Sequence, residues 1–293
     1  MGFSVACMAL ERPEILKRFI DHYRAVGAER IFLYYDGDAS GLGLTSADDV
    51  DLVACSQAFW AARTGQRPAM VVPAQQVAFD DAFTRNTSDW LLVCDVDEFV
   101  AGDIAHALGA APAGLDYVRI RPAEAVWVEG EDVETPFSNS LFRAPTPRFL
   151  GKALSLVVYG RDWRMFQRGI QSHIMGKSFV RRSACFQGMG LHFPKGTHAG
   201  KGTWMHVLAP DSKVWLYHFS AISFSRWKTK LGGRIDGSRR TLTYSSWQGA
   251  LLKTFAAHAA DGRERELFDR LFVLDRRKIS ILRRCGLLLD RQF

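Results

Sequence analysis

The stretch "DWLLVCDVDEFVAG", residues 89–102, decides how this chain is read. Trp90 to Cys94 form an apolar run of strand length, rich in Leu and Val, and such a run reads as a buried strand. It ends in three acids within four positions: Asp95, Asp97 and Glu98. Like charges so close repel, and one pKa rises unless a cation is present. While extended geometry lasts, Asp95 and Asp97 share one face, and Val96 and Glu98 share the other. A hard divalent ion, Mg²⁺ or Mn²⁺, accepts carboxylate oxygen and leaves positions for the phosphate oxygens of a substrate. That ion is the expected cation.

Upstream, Phe3 to Met8 read as a short strand. Pro13 suits the first turn of a helix, and Ile15, Leu16, Phe19, Ile20, Tyr23 and Val26 recur at helical spacing up to Gly27. "RIFLYYDGDASG" supplies a second strand ending at Asp36 and a polar loop; "VDLVACS" is a third strand and "VVPAQQVAFDDAFTRN" a helix. The alternation predicts an α/β fold with a doubly wound, mainly parallel sheet. Ligands of such sheets sit beyond the carboxyl ends of the strands, the edge that holds both Asp36 and the acidic cluster. Downstream of Gly102 the pattern becomes mixed. Strand candidates "DYVRIRP", "EAVWVEG" and "LSLVVYG" alternate with links rich in Pro and Gly. From Ser238 helical spacing returns, with Trp247, Leu251, Phe255 and His258, then Leu267, Leu271 and Leu274. The tail "DRRKISILRRCGLLLDRQF" is basic and amphipathic, and reads as packed on the domain rather than laid on anionic lipid.

With 293 residues the chain can bury a large core. The net charge of +7 permits an anionic partner without naming one. Between Arg148 and Arg182 eight basic residues stand against one acid, Asp162. A nucleic-acid-binding protein needs a recognisable motif or an aromatic platform interleaved with basic residues, and the sequence offers neither. The five cysteines, an odd number with no close pair, exclude a complete disulfide framework and suit a reducing compartment. No apolar stretch approaches the roughly 20 residues of a membrane span. The start "MGFSVACMALERPEIL" lacks a basic n-region, so a cytoplasmic location is expected.

Two chemistries use Asp-x-Asp at a strand end. In haloacid-dehalogenase-like phosphatases the first Asp, here Asp95, is a covalent nucleophile assisted by Mg²⁺. That motif usually opens its domain, whereas here it follows three strands and two helices, which makes the phosphatase the alternative reading. In nucleotide-sugar glycosyltransferases the pattern follows a nucleotide-binding half, and a metal bridges Asp and diphosphate.

The ordered segments "ALERPEIL", "DHYRAVGAERIFLYYDGDASG", "DWLLVCDVDEFV", "HIMGKSFVR", "GLHFP" and "WLYHFSAISFSRWKTKL" resemble bacterial family-2-like glycosyltransferases of the GT-A fold. These are related to the DUF23 galactosyltransferase-like group. The resemblance covers about residues 3 to 235; Leu10 and the loop "GDASG" depart from its pattern. It implies a GT-A-like domain over 1–235, with a nucleotide-binding half at about 1–102 and an acceptor half at about 103–235. A helical segment, 236–293, follows.

The implied reaction moves a sugar, in the manner of a hexosyltransferase, from a nucleoside-diphosphate sugar to a hydroxyl of a glycan or glycolipid. Inversion, a UDP-sugar donor and a role in surface polysaccharide synthesis come with it, as does peripheral contact with the inner membrane face. Mn²⁺ or Mg²⁺ would be bound by Asp97, with Asp95 on the ribose or on the metal through water, and Glu11 and Asp36 would line the nucleotide pocket. His218, with His192 as alternative, is the histidine expected at the metal or diphosphate. Lys177, four positions after His173, is the choice for a diphosphate contact. A general base is a carboxylate or His near the acceptor hydroxyl. Glu124, Glu129, Asp132 and Asp162 remain open for that role.

Overall fold

The computed structural model describes residues 1–149, 151–196, 202–237 and 245–293. In chain order the first elements are β1 (Phe3–Ala9), α1 (Pro13–Ala25), β2 (Arg30–Tyr35), β3 (Val50–Ala54), α2 (Gln57–Thr64) and α3 (Val71–Arg85). Then come β4 (Trp90–Val93), β5 (Glu98–Ala101), α4 (Ile104–Gly109), β6 (Tyr117–Ile120), β7 (Pro122–Val128), β8 (Leu141–Arg143) and α5 (Gly151–Tyr159). The remainder comprises β9 (Lys177–Arg181), β10 (Thr203–Trp204), α6 (Met205–Leu208), β11 (Trp215–His218), α7 (Phe224–Ile235), α8 (Ser246–Ala260), α9 (Glu264–Phe272), β12 (Val273–Leu274), α10 (Arg276–Arg284) and β13 (Leu288–Asp290). The onset of the tail's helices, expected from Ser238, falls outside the described residues.

The fold is α/β, and the chain forms two compact units, each made of two stretches: Met1–Arg121 with Met175–Leu216, and Pro122–Ile174 with Tyr217–Phe293. In the first, a sheet runs β10-β6-β9-β4-β1-β2-β3. Its β3-β2-β1-β4 portion is parallel, and β9 lies antiparallel between β4 and β6. Because β2 flanks β1 on one side and β4 on the other, the strand order reverses at β1, the kind of place where ligands of open α/β sheets bind beyond the carboxyl edge.

One face of this sheet packs on α2 and α3, with Phe32, Tyr34, Leu91 and Val93 against Phe59, Trp60, Ala78 and Phe79. Helix α1 buries Ile15, Leu16, Phe19, Ile20 and Tyr23, the apolar stripe legible in the sequence. Gly27 closes it with a φ of 84°, open to glycine at no steric cost. Gly102 ends the decisive stretch in a conformation of φ 130°, where an added Cβ would lie 2.6 Å from the Val214 Cα.

In the second unit β8 pairs antiparallel with both β7 and β13, and β12 lies parallel to β7. The expected strand "LSLVVYG" is instead helix α5. Ser155, Val158 and Tyr159 are buried while Leu156 and Val157 are exposed, a spacing of three and four that only a helix produces. The 236–293 segment carries the expected helices and adds the two short strands β12 and β13. Among the described residues no helix is long and apolar enough to cross a membrane.

Candidate functional site

Strand β4 stops at Val93, and the chain then turns tightly before β5, with the Glu98 amide donating to the Asp95 carbonyl at 3.1 Å. Extended geometry therefore does not last to Asp97, which lies in the turn. The turn folds Glu98 back, so that its Oε2 accepts from the Asp95 backbone amide at 2.8 Å. Helix α1 braces the turn from below, since the Tyr23 hydroxyl donates to the Glu98 carbonyl at 2.9 Å and His22 Nε2 lies 2.9 Å from the Val100 carbonyl. Cys94 is buried against the Tyr23 hydroxyl, and burial pushes its thiol well up.

The cation between the carboxylates is Lys177. Its Nζ lies 2.8 Å from Asp95 Oδ2 and 3.2 Å from Glu98 Oε2. The antiparallel register of β9 on β4, with Ser178 opposite Val93, carries Lys177 alongside the end of β4. Burial by itself would lower the Lys177 pKa, but Asp95 and Glu98 outweigh it and hold the ammonium well above the ordinary lysine value. Gln75 of α3 donates from Nε2 to Asp95 Oδ1 at 2.9 Å. Asp95 is thus gripped at both oxygens, yet its side chain is 38% exposed, while that of Lys177 is 1% exposed. Asp97 is buried in the same turn.

Lys177 is accordingly neither an exposed lysine nor placed to touch a diphosphate directly; it works through Asp95 and Glu98. His173 lies on the loop before β9, with its ring 5.8 Å from that of Trp247. His192 Nδ1 lies 2.8 Å from the carbonyl of Gly176, the neighbour of Lys177, so His192 shares a compact unit with the acidic turn. His218 ends β11 at the start of the second unit's later stretch.

Along the same edge, the Asp36 amide donates to the Ala9 carbonyl at 2.9 Å and the Cys55 amide to the Tyr35 carbonyl at 2.8 Å, which sets the ends of β1, β2 and β3 side by side. There a cleft of about 440 Å³ is lined by Asp36, Ser56, Gln57, Trp60, Gln66 and Arg67, among others. The Arg67 guanidinium grips Asp36 with two parallel bonds, Nε to Oδ1 at 2.8 Å and Nη2 to Oδ2. Burial, with Asp36 adding to it, pushes the Cys55 thiol up to about 12, so this wall of the cleft stays neutral. Glu11 lies half-buried in the loop after β1.

The four candidate bases belong to the second unit. Glu124 is completely buried and receives Arg143 Nε at 2.9 Å and Nη2 at 2.6 Å, the Gln171 amide at 2.9 Å and the Ser220 hydroxyl at 2.8 Å. It is a structural carboxylate, sealed from any acceptor. Asp162 is held by Arg270, whose Nε lies 2.9 Å away. Asp132 accepts from the Thr135 hydroxyl and the Glu134 amide, which hold its carboxyl below the usual range, the wrong direction for a base at neutral pH. Glu129 is exposed in the turn after β7.

Gln75 and Arg67 escape the sequence reading. Both are polar side chains in unremarkable context, and only the closeness of α3 to β4 and of the 65–70 loop to β2 gives them partners. A buried Gln on the apolar face of α3 is the one available signal.

Among the described residues no cluster of three or more His, Cys, Asp or Glu surrounds one point. Ions such as Mg²⁺ or Mn²⁺ are commonly held by one or two carboxylates together with substrate phosphates and water, and the Asp95–Asp97 turn fits that mode.

No protein-family model and no curated protein sequence matches the chain. Among solved structures it is similar to HddC from Yersinia pseudotuberculosis at 12% identity and a TM-score of 0.28, over 44% of this chain and 65% of that one. It is similar to glucosyl-3-phosphoglycerate synthase from Mycobacterium tuberculosis, in complex with Mn²⁺, uridine diphosphate and phosphoglyceric acid, at 14% identity and TM-score 0.34, over 70% and 68%. It is also similar to S. aureus TarS 1-349 at 10% identity and TM-score 0.34, over 90% and 73%.

Proposed function

We propose that the chain is a metal-dependent glycosyltransferase with a GT-A-like fold. It transfers a hexose from a nucleoside-diphosphate sugar, with UDP as the first nucleotide to test, to a hydroxyl of a glycan or glycolipid in surface polysaccharide synthesis, with inversion. One observation carries this reading. The acidic turn after β4 and the Asp36–Arg67 cleft after β2 open from the same carboxyl edge of one sheet, on either side of the strand at which its order reverses.

In this reading the cleft receives the nucleoside, with Asp36 and Glu11 accepting its donors. Asp95, oriented by Lys177 and Gln75, presents its exposed edge to a ribose hydroxyl. Asp97, with the diphosphate oxygens, would hold Mn²⁺ or Mg²⁺, and His218 is the first histidine to test beside it, because β11, which it ends, neighbours β5 of the acidic turn, with His192 as the alternative. The ion supplies positive charge that offsets the charge building on the departing diphosphate. Work in the cytoplasm on a membrane-borne acceptor accords with it. The phosphatase alternative is not favoured, because its motif usually opens the domain, whereas here the acidic turn follows β4, after three strands and three helices.

Calorimetric titration of UDP and GDP, with and without Mn²⁺, tests the reading. Ion-assisted binding of one nucleotide is expected, with a loss of about 10- to 100-fold on Asp97→Asn. Ion-assisted affinity that survives neutral substitution at both Asp95 and Asp97 overturns it, as does turnover of a generic phosphomonoester.

A further inference from the structure

The second compact unit carries a surface that the proposed chemistry does not use. Helix α5 buries Gly151, Ser155, Val158 and Tyr159 and turns its opposite stripe to solvent. On that stripe Leu156 is 52% and Val157 51% exposed, and just before the helix Phe149 is 98% exposed. Isolated exposed apolar residues need no explanation, but three large ones at one short helix do.

Cations ring them. Arg148 and Lys152 are exposed at the helix start, and Arg161 and Arg164 just after its end. The Lys152 ammonium lies 5.1 Å and the Arg164 guanidinium 5.8 Å from the Trp163 ring. Arg277 of α10 donates to the Val157 carbonyl at 3.3 Å, which brings the basic start of α10 to the same face. The one acid of this stretch, Asp162, is already neutralised by Arg270.

We propose that this face docks on an anionic bilayer surface. The apolar side chains enter the acyl boundary while the cations and the amphipathic Trp163 remain at the headgroups. Leu156 and Val157 on α5 and Phe149 just before it are exposed apolar side chains with exposed cations close by in the chain. A fluid interface accepts such side chains at any spacing, whereas a protein partner would need a matching hollow. The charge pattern selects an acidic surface, and neither the apolar nor the basic signal alone gives firm attachment. The sequence reads the basic tail as packed on the domain, and the contact of Arg277 with α5 agrees with that packing. Because the proposed face shares no residue with the acidic turn, it stands or falls independently of the transferase reading.

The test is sedimentation of the full chain with vesicles of phosphatidylcholine alone and of phosphatidylcholine containing one-third phosphatidylglycerol. Binding to the anionic vesicles is expected to exceed that to neutral ones by about 10-fold or more and to weaken as salt rises. The triple change Phe149→Ser, Leu156→Ser, Val157→Ser and the triple change Arg148→Gln, Arg161→Gln, Arg164→Gln are each expected to reduce it about 10-fold with the melting temperature retained. Equal binding to both vesicles, binding to neither, or anionic binding untouched by both triple variants overturns the proposal. So does a wild-type dimer that the apolar variant converts to monomer, since the face would then join two copies of the chain.

Discussion

Each compact unit contains a buried cation clasped by carboxylate, and the two differ in one respect that separates structure from chemistry. In the second unit, Arg143 and Glu124 are both completely sealed. Arg143 lies 4.9 Å from the Phe166 ring and its Nη1 donates to the Leu271 carbonyl at 2.8 Å and the Tyr159 hydroxyl at 3.3 Å, while the amide of Gln171 and the hydroxyl of Ser220 complete Glu124. Nothing of this pair faces solvent, so its effect is confined to holding β7 and β8 in place. In the first unit Lys177 is just as deeply buried, but one of its two carboxylates, Asp95, keeps an open edge. A buried cation that fixes a half-exposed acid is a positioning device; one that fixes a sealed acid is a clip.

Arg143→Met tests the clip and carries the largest expected effect. It strands Glu124 without its partner at zero exposure, and the loss is expected at about 3–5 kcal/mol in urea unfolding. Nucleotide affinity, measured where the variant is still folded, is expected to stay within about 2-fold of wild type.

Lys177→Met comes next. Asp95 can rehydrate, so the stability loss is expected on the order of 2 kcal/mol, while nucleotide affinity falls about 10-fold or more because Asp95 loses its orientation. The Lys177 pKa is raised on folding. Its contribution is therefore fully present below the ordinary lysine value of about 10.4 and disappears only as pH rises through the still higher folded value. The stability gap between wild type and Lys177→Met should accordingly stay constant from about pH 6 to about pH 9. A gap that closes within that window would mean that the ammonium is not the stabilising cation.

Gln75→Ala is the smallest change. It removes one neutral donor from Asp95 and is expected to cost about 1 kcal/mol and a few-fold in affinity. Should Arg143→Met and Lys177→Met shift stability and affinity in the same proportion, the distinction between clip and positioning device fails.

Much of the first unit is legible in the chain. The apolar runs of β1 to β4, the stripe on α1 and the punctuation by Pro13 and Gly27 are local signals, and the structure returns them within a residue or two. Helix α2 gives no such signal, since its two buried residues, Phe59 and Trp60, are adjacent rather than spaced at three or four. Helix α5 is misread because "LSLVVY" is rich in β-branched and aliphatic residues; only packing, which buries Ser155 and exposes Leu156, breaks the tie. Of the site, Asp36 and the three acids of the turn are visible as residues at a strand end. Their partners are not, because Gln75, Arg67 and Lys177 meet them across 20, 31 and 82 positions.

The sequence alone determined that a strand of Leu and Val would end in an acidic turn at a ligand-facing edge, because side-chain period and strand termination are local properties of the chain. It also determined that so dense a set of carboxylates requires a counter-charge. Which charge that is, and that Glu98 shares it with Asp95, was decided by tertiary structure. The antiparallel register of β9 on β4 delivers a lysine from far along the chain, and the turn after Val93 swings Glu98 to meet it. Like charges are forced together by the backbone next to them, but their neutralisation depends on whatever the rest of the fold brings within a few ångströms.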